Sequence, residues 1–580
     1  MLEKEKLTMS YYSECSDTGL IGKTIGEFLA EITEKYPNND ALVCRHERDA
    51  SGEILRYNYK EFYEVCRQAA KGFMKLGVQK GDRVAIWSTN NSQWVITQFA
   101  TSLIGAILVN INPAYRPREL TFALKQSETQ YLLLIERFKS SKYLEMFYEV
   151  CPEAKTDDPG DIRSDNFPHL KTAIFIGDHK PAGFFTWNEL LQMGDQVSSE
   201  DLAERESKLE FDDPINIQYT SGTTGFPKGV TLSHHNILNN GYFIARAMKF
   251  TDQDRLCIPV PFYHCFGMVL GNLVCVSHGA TMVIPGVSFN VTEVLECIQE
   301  EKCTAVHGVP TMFIAELDHP DFDKYDLSSL RTGIMAGSPC PVEVMKKVNN
   351  LMNANEITIA YGQTETSPVI TQTTPYDSLE LRTETVGKPL PHVEVKIIDP
   401  ETGKIVPIGT PGELCTRGYL VMRHGYYKSP EATAKAIDDI DWIHTGDIAT
   451  MNDQGYCNIT GRLTDMIIRG GENIYPRELE EFLYRHPAIK DVQVIGVPSE
   501  KFGEEVAAWI QLKEGKEGTV TEDEIRAFCK DEIAYFKVPK YIKFVESFPM
   551  TVTGKIQKYI MREKYTKELG LEEVAKIKTA

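Results

Sequence analysis

Tyr219-Thr220-Ser221-Gly222-Thr223-Thr224-Gly225-Phe226-Pro227-Lys228-Gly229 combines three properties that a polyphosphate requires of a loop. Glycines let the main chain approach closely, hydroxyls donate hydrogen bonds, and Lys228 supplies charge. The apolar run from Ile215 to Tyr219 reads as a strand entering the loop, and Ser233 to Phe250 reads as a helix leaving it. In that setting unpaired amides and the helix N-terminus point the same way, and a glycine-rich turn becomes an anion cradle. A Walker-type loop is disfavoured: G-x-x-x-x-G-K-[ST] places lysine directly after glycine, whereas Lys228 follows Pro227. Gly222-Thr223-Thr224-Gly225 alone reads equally well as an ordinary surface loop.

Working outward, the chain alternates strands with helices. Arg83 to Trp87, Ser92 to Ile104, Ala106 to Ile111, Pro117 to Gln126 and Tyr131 to Ile135 alternate as parallel βαβ units do. The pattern returns at Ile215, Arg255 to Val260, Thr281 to Ile284, Val291 to Glu300 and Thr304 to His307. Shorter strands with turn residues follow from about Thr385 to Gly461. The expected fold is therefore α/β: a large N-terminal domain (residues 1–462) of two α/β layers plus a small β subdomain, then a small mobile α+β domain (residues 463–580). The latter has strands at Val492 to Gly496, Val506 to Leu512 and Tyr541 to Val545, and a helix opening with the capping box Thr521-Glu522-Asp523-Glu524.

The 580 residues exceed what one core accommodates, and 42% hydrophobic with 25% charged residues is ordinary for a globular protein. A net charge of −20 without a basic stripe argues against nucleic acid as a partner. The basic residues Lys558, Arg562, Lys564 and Lys567 alternate with acids as on a solvated helix face. Thirteen scattered cysteines without a C-x-x-C pair indicate neither zinc nor a disulfide framework, and fit a reducing, cytoplasmic location. Residues 1–6 read as neither a secretory signal nor a transit peptide, and Lys578-Thr579-Ala580 is not a peroxisomal address. Leu256 to Pro285 is the most apolar stretch. His264, His278, glycines and prolines interrupt it, so no transmembrane segment is expected.

The loop and several later segments, in matching order, resemble the adenylate-forming (AMP-binding) enzymes: acyl-CoA synthetases, firefly luciferases and peptide-synthetase adenylation domains. The resemblance spans roughly residues 20–560 and is nearest to medium-chain fatty acyl-CoA synthetases, through Asn112-Pro113-Ala114-Tyr115-Arg116 and Pro261-Phe262-Tyr263-His264-Cys265-Phe266-Gly267-Met268. It implies that Thr220, Ser221, Gly222, Thr223, Thr224, Gly225, Phe226, Pro227 and Lys228 bind the nucleotide phosphates. Gly337, Ser338 and Pro339 would meet adenine, with Tyr361, Gly362, Gln363 and Thr364, Tyr361 stacking on the base. Glu365 and Thr223 would hold Mg²⁺, Asp447 and Arg462 the ribose or phosphate, and Lys555 would bridge carboxylate and α-phosphate. Arg469, Gly470 and Gly471 would open a path for coenzyme A, and His264, Phe266 and Gly362 would border the acyl group. Small Gly362 would leave room behind the carboxylate. Singly, each has a plainer reading: Tyr361 or His264 as core, Glu365 as a surface acid, Asp447 in a glycine turn, Arg462 in a surface salt bridge, Lys555 as solvated, Gly470-Gly471 as a structural turn. Where the family often has Asp or Lys at the domain hinge, this chain has Thr464.

The implied reaction joins a fatty acid or similar carboxylate to the α-phosphate of ATP, releases pyrophosphate, and transfers the acyl group to CoA with release of AMP. ATP, Mg²⁺ and coenzyme A are the implied cofactors. Lys555, Lys228, Thr223 and Glu365 would act by positioning and charge, without a covalent enzyme intermediate. Two alternatives stay open: loading a separate carrier protein, and a non-catalytic nucleotide-binding scaffold.

Overall fold

The computed structural model describes residues 6–220, 227–338, 340–469, 472–530, 532–551 and 556–574. Two compact units emerge: Ser13–Glu394 with Thr416–Ile443, and Met1–Tyr12 with Val395–Cys415 and His444–Ala580.

In the larger unit, a seven-stranded sheet runs Lys228–Ser233, Pro214–Thr220, Ile107–Asn110, Arg83–Trp87, Tyr131–Ile135, Thr172–Ile176, Phe185–Thr186. Every pairing is parallel except the first. A nine-stranded sheet runs Lys388–Pro389, Val369–Gln372, Thr358–Gly362, Thr332–Met335, Ala305–Gly308, Arg255–Cys257, Thr281–Ile284, Asp40–Arg48, Ile54–Asn58, parallel in the middle and antiparallel at both ends. These are the two expected α/β layers. Helix Ser92–Ile104 packs against strands of both, and twelve of its thirteen residues are buried, as a helix held between two sheets requires. Its N-terminus is fixed by Asn91, whose Oδ1 accepts from Trp94 N at 2.7 Å, and by the Glu47 carboxylate, which accepts from Ser92 N at 2.8 Å. Gly105 closes it in the left-handed region (φ 70°).

Leu256 to Pro285 folds as strand, helix and strand. Within its helix, Met268–Leu273 widens to a π-helix between Cys265–Gly267 and Val274–His278. Among the described residues no helix is long and apolar enough to cross a membrane.

In the smaller unit, Ile443–Met451 and Cys457–Arg462 form an antiparallel hairpin. Beyond it, strands Glu472–Ile474, Ile467–Arg469, Gly503–Leu512 and Ile489–Ser499 pair in that order, and Tyr541–Phe544 adds to Gly503–Leu512. Alternate residues of Gly503–Leu512 serve opposite faces. Val506, Ala508 and Ile510 pack beneath Leu479 and Ile525 of helices Pro476–Leu483 and Glu522–Cys529. Ala507 and Trp509 pack with Met561 and Tyr565 of Lys558–Glu568. Thr521 caps its helix as expected, accepting from Glu524 N at 3.3 Å.

Candidate active site

The anion-loop strand does not lead into a helix. Pro214–Thr220 pairs antiparallel with Lys228–Ser233, Thr220 opposite Lys228, so the loop joins a hairpin and the helix, His234–Ala247, begins only after the second strand. At about 3.3 Å per residue that strand carries the helix N-terminus roughly 20 Å from the loop. Ser233 caps the helix itself, its Oγ accepting from Asn236 N at 3.2 Å. The strand–loop–helix cradle is therefore corrected: any anion binding here rests on the loop's own amides, hydroxyls and Lys228. Ser221, Gly222, Thr223, Thr224, Gly225 and Phe226 lie outside the described residues. Thr220, half-buried, turns its Oγ1 towards Lys228 O at 3.4 Å, and Pro227 is half-buried beside it.

Lys228 and Glu365 come together through a residue that the sequence reading missed. The Lys228 ammonium lies 4.9 Å from the centroid of the Tyr426 ring, and the Tyr426 hydroxyl donates to Glu365 Oε1 at 2.8 Å. Burial first, then the Glu365 carboxylate, hold the Tyr426 phenol far above its ordinary pKa, which keeps it a donor. Tyr426 is placed by the main chain: it bridges Val230, Tyr427 N donates to Gly229 O at 2.7 Å, and Thr231 N donates to Gly425 O at 3.0 Å. Met422 N donates to Glu365 O at 3.1 Å and Ser367 Oγ to Leu420 O at 2.6 Å. The segment from Leu420 to Tyr427 thus stitches the loop hairpin to the Thr364–Thr366 turn, whose exit residue Ser367 is left-handed (φ 75°). The signal for it was Gly425-Tyr426-Tyr427, a left-handed glycine (φ 67°) before two aromatics.

The adenine candidates stand at the carboxyl ends of parallel strands of the nine-stranded sheet, where open α/β sheets bind ligands. Gly337 (φ 87°, exposed) and half-buried Ser338 follow Thr332–Met335; Pro339 lies outside the described residues. Half-buried Tyr361 and exposed Gly362 end Thr358–Gly362, and Gln363 N donates to Thr366 Oγ1 at 3.0 Å. Gly362 is corrected as an opening for substrate. A Cβ there would lie 1.8 Å from Pro368 O and 2.9 Å from Ile370 N, so the main chain already fills the space. Thr364 Oγ1 is 3.9 Å from Cys265 Sγ, which brings this turn to the acyl segment.

That segment hangs on buried amides. Asn90 accepts from Phe262 N at 2.9 Å and donates to Val260 O at 2.9 Å; Asn110 donates to Tyr263 O at 3.1 Å; Gln98 donates to Met268 O at 3.2 Å. Asn110 and Gln218 also donate to Met268 Sδ at 3.2 and 3.1 Å. His264 caps the short helix: its Nδ1 accepts from Phe266 N at 3.1 Å, which leaves the hydrogen of the neutral ring on Nε2. Buried Phe266 lies tilted on His307, centroids 5.6 Å apart. His307 Nδ1 accepts from Ile334 N at 3.1 Å while Nε2 bonds Leu270 O at 2.9 Å, and burial lowers its pKa to about 4.

In the smaller unit, Asp447 and Arg462 are cross-strand partners, with Arg462 Nε donating to Asp447 Oδ1 at 2.7 Å. The strand segment before Asp447 is fixed: Thr445 Oγ1 donates to Leu414 O at 2.7 Å and Gly446 N to Glu413 Oε1 at 3.1 Å. Thr464 occupies an exposed turn. Arg469 is engaged inwards: its Nε and one Nη donate to the buried Glu505 carboxylate at 2.7 and 3.2 Å, and its guanidinium lies 4.2 Å from the Phe502 centroid. Gly470, Gly471 and Lys555 lie outside the described residues.

Among the described residues, two triads of metal-ligand types occur, Cys44–His46–Glu47 and Glu413–Cys415–His444, with ligand atoms within 4.8 Å. In each the carboxylate already accepts a main-chain amide, from Ser92 and Gly446 respectively. Glu365 is a hard oxygen donor of the kind that Mg²⁺ prefers, half-buried and linked through Tyr426 to Lys228, so it fits that ion.

The AMP-binding enzyme family matches residues 29–427, and the AMP-binding enzyme C-terminal domain matches residues 478–555. The chain belongs to the AMP-binding enzyme family. This AMP-binding enzyme is 54% identical over 545 residues to YngI of Bacillus subtilis, named as an acyl-CoA synthetase, covering 94% of this chain and 97% of that one. It is 46% identical over 567 residues to the zebrafish (Danio rerio) mitochondrial medium-chain acyl-CoA ligase ACSF2, covering 97% and 92%. Among solved structures it resembles an anthranilate CoA ligase in complex with anthranoyl-AMP, with a TM-score of 0.83 and 25% identity over 96% of this chain and 100% of that one. The expected family and the α/β architecture are both borne out.

Proposed function

We infer that this AMP-binding enzyme is an ATP-dependent, AMP-forming fatty acid:CoA ligase, and we propose that its acid is of medium chain length. The observation that carries the reading is its near full-length similarity to acyl-CoA synthetases and ligases, including one named for medium-chain acids. The site supports it, because Lys228 and Glu365 share one partner, Tyr426, as phosphate-facing charge and metal-ligand candidate would.

A carboxylate is a poor electrophile because it would have to expel oxide. The enzyme attaches it to the α-phosphate, so that AMP becomes the leaving group when the thiol of CoA attacks. Lys228 and the hydroxyls of the Thr220–Thr224 stretch hold the β- and γ-phosphates. Asp447 accepts the ribose hydroxyls, oriented by Arg462. His264 Nε2–H donates towards the acyl carboxylate, and Lys555 places positive charge beside the α-phosphate oxygens, where negative charge concentrates in the transition state. Glu365 and Thr223 would hold Mg²⁺, which would supply neutralisation of phosphate charge. Residues 463–580 would move as one body between the half-reactions, pivoting near Thr464 and bringing Gly470-Gly471 to the thiol path. Arg469, turned to Glu505, would stiffen that path. The thirteen cysteines, none disulfide-linked among the described residues and twelve of them buried, support a cytoplasmic location.

The test is pyrophosphate exchange into ATP across a panel of carboxylates from butyrate to laurate, together with aromatic acids. The reading expects exchange with an optimum at six to ten carbons, roughly the span of medium-chain acids. An optimum among aromatic acids would refute the fatty-acid assignment, and no exchange with any acid would favour a binding scaffold.

A further inference from the structure

We propose that Tyr426 is the positioning residue of the phosphate and metal groups, serving both at once: its hydroxyl orients the Glu365 carboxylate and its ring face seats the Lys228 ammonium. The inference rests on the reading of Lys228 and Glu365 given above. A carboxylate at the end of a two-carbon side chain has several rotamers, and only some direct an oxygen towards a bound ion; a 2.8 Å hydrogen bond to Oε1 selects among them and leaves the second oxygen's lone pairs defined in direction. A lysine side chain has many rotamers to lose, so an ammonium already held 4.9 Å above an aromatic face loses less when it meets phosphate. Tyr426 can serve both because its own backbone is locked. It is buried, bridges Val230, and its amide donates to Thr433 Oγ1 at 2.9 Å. The ring therefore has a fixed plane from which hydroxyl and face act in different directions.

Two substitutions separate the functions. Tyr426→Phe keeps the ring and removes the hydroxyl; Tyr426→Leu removes both. The metal readout is binding of Mn²⁺, followed by electron paramagnetic resonance, to the full-length enzyme with a non-hydrolysable ATP analogue. The nucleotide readout is KM for ATP in pyrophosphate exchange at saturating Mg²⁺. Tyr426→Phe should weaken Mn²⁺ binding about tenfold, the worth of a hydrogen bond to a charged group, with KM for ATP held within about twofold. Tyr426→Leu should show the same metal loss and, in addition, a roughly fivefold rise in KM for ATP. Glu365→Gln serves as the reference. If Glu365→Gln weakens Mn²⁺ binding while Tyr426→Phe does not, the proposal is overturned and the reading of Glu365 stands. If Glu365→Gln leaves Mn²⁺ binding intact, the reading fails and the proposal with it. Activity lost in both Tyr426 variants alongside a lower melting temperature but unchanged Mn²⁺ affinity would assign Tyr426 to the fold alone.

Discussion

Gly362 carries no side chain because the Pro368 carbonyl occupies the place of its Cβ. Gly362→Ala should therefore lower stability by about 1–3 kcal/mol, as overpacking against main chain does, and depress kcat/KM uniformly from butyrate to laurate. A shift in the chain-length optimum, measured across that series, would restore the acyl-pocket reading. Arg469 poses a similar question for CoA. Its removal leaves Glu505, whose side chain is 3% exposed, as a buried charge with, among the described residues, only Lys540 at 3.8 Å. Arg469→Ala should thus destabilise the smaller unit by about 3–5 kcal/mol, seen as a lower urea midpoint by Trp509 fluorescence; an unchanged midpoint with a raised KM for CoA would show a ligand-facing guanidinium. Lys228, Glu365, Asp447 and Arg462 stood out in the sequence because each sits in a short, recognisable motif. Tyr426 was not, since an aromatic between glycine and tyrosine looks like core, and its meaning comes from a partner 61 residues away. Glu505 was hidden likewise, because a carboxylate in Gly-Glu-Glu-Val reads as surface until its strand is buried on both faces.

At the scale of elements, the sequence located most strands and helices to within a few residues. Pro117–Gln126 and Tyr131–Ile135 coincide with expectation because proline and a following turn punctuate them. The strand Lys228–Ser233 was passed over, because the reading ran from the loop directly to a helix beginning at Ser233. Its apolar positions, Val230 and Leu232, are only two, too few for period-two alternation to stand out beside a serine cap. That single omission changed the account of the phosphate loop from a helix-dipole cradle to a hairpin turn. His307 shows an element-level consequence invisible in sequence: it ties Ala305–Gly308 to Thr332–Met335 and to the π-helix through a neutral ring. Its folded pKa, about 4, lies below the ordinary 6.5, so its contribution is complete above pH 6.5 and is lost as pH falls towards 4. Between pH 8 and pH 5 the loss is about 2 kcal/mol. His307→Gln can accept and donate along the same two directions without titrating, so its urea midpoint should fall less between those pH values than that of the wild type; parallel declines would contradict a neutral His307.

On the scale of the whole molecule, the order of motifs along the chain carried more than any one of them, and it extended to Lys555 and Gly471, which lie outside the described residues. The two half-reactions should separate genetically. Lys555→Ala should abolish pyrophosphate exchange by about 10²-fold or more, the scale of a lost transition-state charge contact, and leave thioester formation from supplied acyl-adenylate nearly intact. Gly471→Leu should do the reverse, since a branched side chain obstructs the thiol path but not the nucleotide. Equal losses in both half-reactions would refute separate roles for these residues. What composition could not supply is the acyl acceptor, because a thiol on CoA and a thiol on a carrier protein present the same pantetheine arm. The most direct test of an AMP-forming fatty acid:CoA ligase is therefore product stoichiometry: the enzyme is incubated with ATP, Mg²⁺ and octanoate, with and without CoA, and AMP, ADP, pyrophosphate and octanoyl-CoA are quantified. The account predicts AMP, pyrophosphate and octanoyl-CoA in equal amounts with CoA, and at most a single turnover of bound adenylate without it. Sustained AMP release that ignores CoA, or ADP in place of AMP, would contradict it.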